Sequence, residues 1–123
     1  MGFREELPSG CPPTGAHEGE CAEAYRLLSS SAPDAQAFAS HAASQKPLPL
    51  GMDACRWASC SLYSDLKTII KKRKLPGRKK YTYVALLKID AGSGRILQNG
   101  PHIDFWMFDT FDPLEAIVHV RPV

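Results

Sequence analysis

Tyr81-Thr82-Tyr83-Val84-Ala85-Leu86-Leu87-Lys88-Ile89 is the stretch on which the fold turns. Aromatic and β-branched residues dominate it, and it lies between two breakers, Pro76-Gly77 and Ala91-Gly92-Ser93-Gly94, so it reads as a strand. Being apolar nearly throughout, it is placed centrally in a sheet. Downstream, the glycines after it form a turn, because glycine takes positive φ cheaply, and Arg95 to Gln98 reads as the returning strand of a hairpin. Asn99-Gly100-Pro101 is a second turn. His102 to Phe108 reads as an aromatic strand and Ala116 to Val120 as the last one, with Asp112-Pro113 breaking the chain between them.

Upstream, Ser64-Asp65 caps a helix whose apolar Leu66, Ile69 and Ile70 stand at i, i+3 and i+4. Cys55 to Tyr63 alternates, with Cys55, Trp57, Ser59, Ser61 and Tyr63 on one face, and reads as a strand. The prolines of Lys46-Pro47-Leu48-Pro49-Leu50-Gly51 make that segment a connector. Ser31 and Pro33-Asp34 open a helix predicted to run to Ala43 on a thin face anchored by Phe38, with His41 beside that face as a structural histidine. Ala22 to Leu28 is a short strand. Residues 1–20, rich in proline and glycine and without an apolar period, form a flexible or loosely draped lead-in to a single domain over 21–123. The resulting class is α+β, a mostly antiparallel sheet with two short helices in the N-terminal half.

A chain of 123 residues with 44% hydrophobic and 23% charged residues falls in the globular range, which excludes wholesale disorder and fibrous repeats. No apolar run approaches the roughly 18 residues of a membrane span, and Arg4-Glu5-Glu6 carries acids where a secretory leader is basic and then apolar. These features predict a soluble, cytoplasmic chain with no membrane association. In that compartment the four cysteines are expected as free thiols, with Cys55 and Cys60 as small core residues. The spacings Cys11 to Cys21 and Cys55 to Cys60 do not preset a zinc site, so no metal is expected.

Fifteen basic and thirteen acidic residues leave a net charge of +2, but eight of the basic residues fall between Lys67 and Lys80 with no acid among them. Lys72, Arg73, Arg78, Lys79 and Lys80 are the candidates for nucleic-acid phosphate contact, with Tyr81 and Tyr83 able to stack on bases. A solvated helix face accounts for the same run and is preferred, so nucleic acid is a possible partner but not the favoured one. Gly92-Ser93-Gly94 neither opens a helix nor precedes a Lys-Ser/Thr pair, so it is no phosphate loop.

His102, Asp104 and Trp106 project together from one strand face, while Ile103, Phe105 and Met107 take the other. A histidine, an acid and a tryptophan side by side could hold a planar ligand or move a proton. The plainer account is an edge strand with an exposed polar face. Tyr25-Arg26 on the first strand and Ser59-Cys60-Ser61 form a second grouping, in which Arg26, Ser59, Ser61 and a later acid converge if the strands are neighbours.

Tyr-Arg on a first strand, a Ser-x-Ser segment followed by a helix, and an apolar strand ending Ile89-Asp90-Ala91-Gly92-Ser93-Gly94-Arg95-Ile96 resemble ADP-ribosyltransferase-type domains. The resemblance implies NAD as cofactor, held by Arg26 and by Ser59 or Ser61. That family's ribose-polarising glutamate is not matched: the corresponding region, Pro101 to Trp106, offers His102 and Asp104. More broadly, Tyr25 to Leu28, Phe38 to His41, Ser61 to Tyr63, Tyr83 to Gly94 and His102 to Trp106 resemble the small uncharacterised proteins of bacterial and phage genomes, a resemblance that implies no established activity. The expectation is a binding or interaction protein of a bacterial or mobile-element setting, with Tyr25, Tyr63 and Trp106 as ligand contacts and a small ligand or protein as partner. A divergent or degenerate NAD-using transferase is the alternative. The two readings separate on geometry. A transferase needs Arg26, Ser59 or Ser61, and His102 or Asp104 around one pocket, and fails if Arg26 and His102 lie on opposite faces; a binding module shows a shallow aromatic surface around Trp57, Tyr63 or Trp106.

Overall fold

The computed structural model describes residues 2–123. Six strands form one antiparallel sheet: β1 (Cys21–Leu28), β2 (Cys60–Tyr63), β3 (Tyr83–Ile89), β4 (Gly94–Asn99), β5 (His102–Met107) and β6 (Ile117–Pro122), in the order β4-β5-β2-β1-β3-β6. Two short α-helices, α1 (Ala54–Trp57) and α2 (Leu66–Arg73), and a 3-10 turn, Ala35–Phe38, complete the regular structure among the described residues. The sheet therefore dominates, as the strand patterning predicts.

Both faces of the sheet are covered. On one, Ala24 and Leu28 of β1, Cys60 and Leu62 of β2, Ala85, Leu87 and Ile89 of β3 and Ile103, Phe105 and Met107 of β5 form a buried cluster closed over by Phe38. On the other, Ile69 of α2 packs with Leu27 and Val84, flanked by Tyr25, Tyr63, Leu66 and Tyr81. The period of α2 is what makes this possible: Leu66 and Ile69 point at the sheet while Lys67 and Lys71 stay exposed. Asp65 caps the helix, its Oδ1 accepting from Thr68 N at 2.7 Å.

Several expectations are corrected. The helix predicted over 33–43 is a single 3-10 turn, Ala35–Phe38; Asp34 makes no side-chain cap and Ala39 is already extended, so nothing propagates the turn. The strand predicted from Cys55 begins only at Cys60, because Asp53 Oδ1 accepts from Cys55 N and starts α1 instead. Gly94 to Asn99 does not return along β3; it pairs with β5, and β3 lies four strands away between β1 and β6. Gly94 is required there, since a Cβ would meet the Trp106 carbonyl oxygen and come within 2.8 Å of the Phe105 ring. Strand β5 is interior, between β4 and β2, so its polar face is not that of an edge strand.

Residues 2–20 make specific contacts with the rest of the chain. Phe3 bridges Phe108, His17 bridges Ile96 on the outer side of β4, and both Glu5 carboxylate oxygens bond Ser40, at 2.6 Å to Oγ and 3.0 Å to N. Cys11 and Cys55 form a disulfide that ties this segment to α1, while Cys21 and Cys60 remain free. The expectation of four free thiols came from the assumed compartment, and spacing in the chain carries no information on which cysteines meet in space.

Candidate functional site

Strands β1 and β2 pair at one position, Tyr25 with Tyr63, and diverge beyond it. Arg26 fills the gap. It leaves β1 on the face of Ala24 and Leu28, and its guanidinium turns between the strands to donate to three backbone carbonyls: Nη1 to Ser61 O at 2.8 Å, Nε to Ala37 O and Nη2 to Ala39 O, both at 3.2 Å. One of these carbonyls lies on β2 and two at the end of the 3-10 turn Ala35–Phe38, and one planar five-donor group satisfies them together.

Above Arg26 lies a cleft of about 330 Å³. The loop after the 3-10 turn supplies one wall with His41 and Lys46, and the turn after α2 supplies the other with Arg78, Lys80 and Tyr81; Ser61 and Tyr63 face it from β2. No aspartate or glutamate is among the described residues lining it. Trp57 braces the first wall, its ring stacked on His41 with centroids 4.3 Å apart and its Nε1 donating to Lys46 O at 3.0 Å. Arg73 braces the second, Nε donating to Tyr81 O at 2.6 Å, and the Lys80 ammonium stands 5.3 Å from the Tyr81 ring centroid. Burial first, and then the positive charges of Lys46, Arg26 and Arg78, hold the His41 imidazole below its ordinary range.

Beside the cleft, Ser61 Oγ and His102 Nε2 are 2.6 Å apart, and the Tyr63 ring stands edge-on to the imidazole at 5.3 Å. Pairing of β2 with β5 causes this, because Ser61 lies opposite Asp104 and Tyr63 opposite His102, all on the helix-bearing face. Asp104 is buried. Ser59 Oγ lies 2.7 Å from its Oδ1 and Arg56 Nε donates to its Oδ2 at 3.0 Å. His102 Nδ1 lies 3.8 Å from that same Oδ2, too far for a hydrogen bond, and has no bonding partner among the described residues. Burial lowers the His102 pKa; Asp104 opposes that shift, while Arg56 and Lys72 add to it.

The structure thus brings Arg26, Ser61 and Tyr63 to the cleft and joins His102 to it through Ser61. Arg26 and His102 leave the sheet on opposite faces and meet only across Ser61, one at its carbonyl and one at its hydroxyl. Ser59 and Asp104 stay beneath α1. Tyr25 packs on the Leu27 cluster, and Trp106 is 1% exposed with Nε1 donating to Cys55 O at 3.0 Å, so its ring is not offered to a ligand. Of the basic run, Arg78 and Lys80 enter the cleft, Arg73 supports it, and Lys72 and Lys79 lie outside its lining. The sequence marks His41 only as a structural histidine beside a predicted helix face and Lys46 only as the start of a proline connector, so neither points to the cleft. A scan against protein-family models, a search of curated proteins and a search of solved structures each find no match for this chain.

The two histidines set an acid limit on stability. Both have folded values below the ordinary 6.5, so as pH falls the unfolded chain binds protons first. Their contribution is complete above pH 6.5 and is lost as pH drops below it towards their folded values. We expect the melting temperature to fall between about pH 7.5 and 5.5, and to fall less in the His41→Gln/His102→Gln variant. Equal slopes in thermal melts of the two proteins would contradict this.

Proposed function

We propose that this chain is a binding domain for a phosphate-bearing small ligand of nucleotide type, taken up in the cleft between β1 and β2. The observation that carries this is the convergence of Arg26, Lys46, Arg78 and Lys80 on a cleft without a lining acid, with Tyr63 and Tyr81 as aromatic walls. Cations at such a site are poised for phosphate oxygens, and a tyrosine face accepts a base. The bacterial or mobile-element setting belongs to this same proposal and rests on the sequence resemblance alone.

Isothermal titration with pyrophosphate, ADP, NAD and a short single-stranded RNA tests the reading. Saturable, salt-sensitive binding of pyrophosphate and ADP is expected, and Arg78→Glu/Lys80→Glu should weaken it by 10-fold or more, roughly the effect of losing two charge-assisted contacts. Burial is the larger cause of the lowered His41 pKa, but an anion offsets the cations that add to it, so binding should take up a proton and tighten as pH falls. Absence of binding to either ligand at low salt ends the proposal. The NAD-using alternative does not meet its geometric condition: Arg26 and Ser61 reach the cleft, but neither His102 nor Asp104 lines it, and Arg26 and His102 leave the sheet on opposite faces. It predicts NAD binding well above ADP. Transfer chemistry has no visible acid to polarise a ribose, since Asp104 is engaged by Arg56 and Ser59. The RNA arm addresses the basic segment: RNA binding many times tighter than ADP would move the site outside the cleft.

A further inference from the structure

We propose that Ser61 is a nucleophile toward the phosphorus of the bound ligand, with His102 as its general base. The inference deepens the cleft reading and rests on it. Three features of the geometry support the pair.

The first is reach. Ser61 lines the cleft, and its Oγ stands 2.6 Å from His102 Nε2, the separation at which a base removes a hydroxyl proton. The second is the tautomer. If Nε2 carried the proton, the bare Nδ1 lone pair would face Asp104 Oδ2 at 3.8 Å, acceptor against anion, in a buried position. With the proton on Nδ1 that contact becomes attractive, and Nε2 is left as the acceptor for Ser61. The buried carboxylate therefore selects the tautomer that can act as a base. It also stabilises the imidazolium that forms when the proton moves, although its own hydrogen bonds go to Ser59 and Arg56. Burial adds to this by keeping His102 unprotonated near neutral pH.

The third is charge. No pair of free backbone N–H groups is needed to stabilise the developing oxyanion, because phosphoryl transfer is assisted by cations around the equatorial oxygens. Lys46, Arg78 and Lys80 stand at the cleft with Ser61. With a phosphoric anhydride as donor, Ser61 Oγ forms a bond to the terminal phosphorus and the bridging P–O bond breaks. The shortened nucleotide leaves with that electron pair. The Ser61 proton passes to His102 Nε2 and from there to the leaving phosphate, so the products are phosphoserine at 61 and a nucleotide one phosphate shorter. Asp104 acts through His102 and is a positioning residue.

The test is incubation of the full chain with ATP and, separately, with p-nitrophenyl phosphate, followed by intact mass and fragment mapping. One phosphoryl group at Ser61 is expected in the parent and none in Ser61→Ala. His102→Gln should slow the labelling by about 100-fold or more, the usual contribution of a general base. Ser61→Ala and His102→Gln should both still bind pyrophosphate in the titration, which separates loss of chemistry from loss of fold or of the cleft. No label at Ser61 overturns the nucleophile whether or not pyrophosphate binds. Label at Ser61 that forms equally fast in His102→Gln overturns the base. Failure of every protein to bind pyrophosphate overturns the cleft reading itself.

Discussion

Replacing Cys11 and Cys55 together by serine is expected to cost about 4 kcal/mol of stability, the chain-entropy value for a cross-link across 44 residues. For a domain of 123 residues that corresponds to a melting temperature lower by about 15 °C. The disulfide joins the proline-rich segment, whose residues 8–15 lie between the anchors at Glu5 and His17, to α1, which Arg56 and Trp57 tie to Asp104 and Lys46. Without the link, the unfolded chain regains the freedom of the whole intervening loop. The same experiment reads the redox state directly. Alkylation of the unreduced, denatured protein should modify Cys21 and Cys60 only, and reduction should expose Cys11 and Cys55 as well. Four reactive thiols before reduction, or a double variant as stable as the parent, would contradict the account.

Trp106→Ala should be comparably severe, about 3–5 kcal/mol, because it empties the space of a fully buried indole. It also leaves the Cys55 carbonyl without the Nε1 donor that now stands at 3.0 Å, in the residue that carries the disulfide. Trp106→Phe separates the two contributions: most of the ring volume stays while the carbonyl keeps only its 3.2 Å bond from Ala58 N, for about 1 kcal/mol. Urea denaturation measures both. A tryptophan that served as a ligand platform would behave oppositely, with unchanged stability and lost affinity in Trp106→Ala. That outcome would return Trp106 to the set of ligand contacts.

Ser61 and His102 were legible as individuals but not as a pair. Alternation along each strand told which neighbours share a face, so the grouping of His102 with Asp104 and of Ser59 with Ser61 could be read directly. Register could not, because a shift of one residue moves every side chain to the other face and nothing local records which strand lies alongside. Likewise the run from Lys67 to Lys80 reads as one block, yet its members part company in space. Lys67 and Lys71 follow the solvent face of α2, whereas Arg78 and Lys80, past Pro76-Gly77, turn into the cleft.

What the chain determines by itself is what short-range physics encodes: strands from aromatic and β-branched runs, from alternation and from flanking breakers, α2 from its Asp65 cap and three-four spacing, and turns at glycine and proline. Only the tertiary structure decided the pairing of β4 with β5, the bond between Cys11 and Cys55, the single turn where a helix was predicted, and the meeting of Arg26, His41, Lys46, Arg78 and Lys80 at one cleft. Each of these depends on contacts between residues far apart in the chain, whose energies are weighed against loop closure and the burial of whole faces, and no local pattern carries that information.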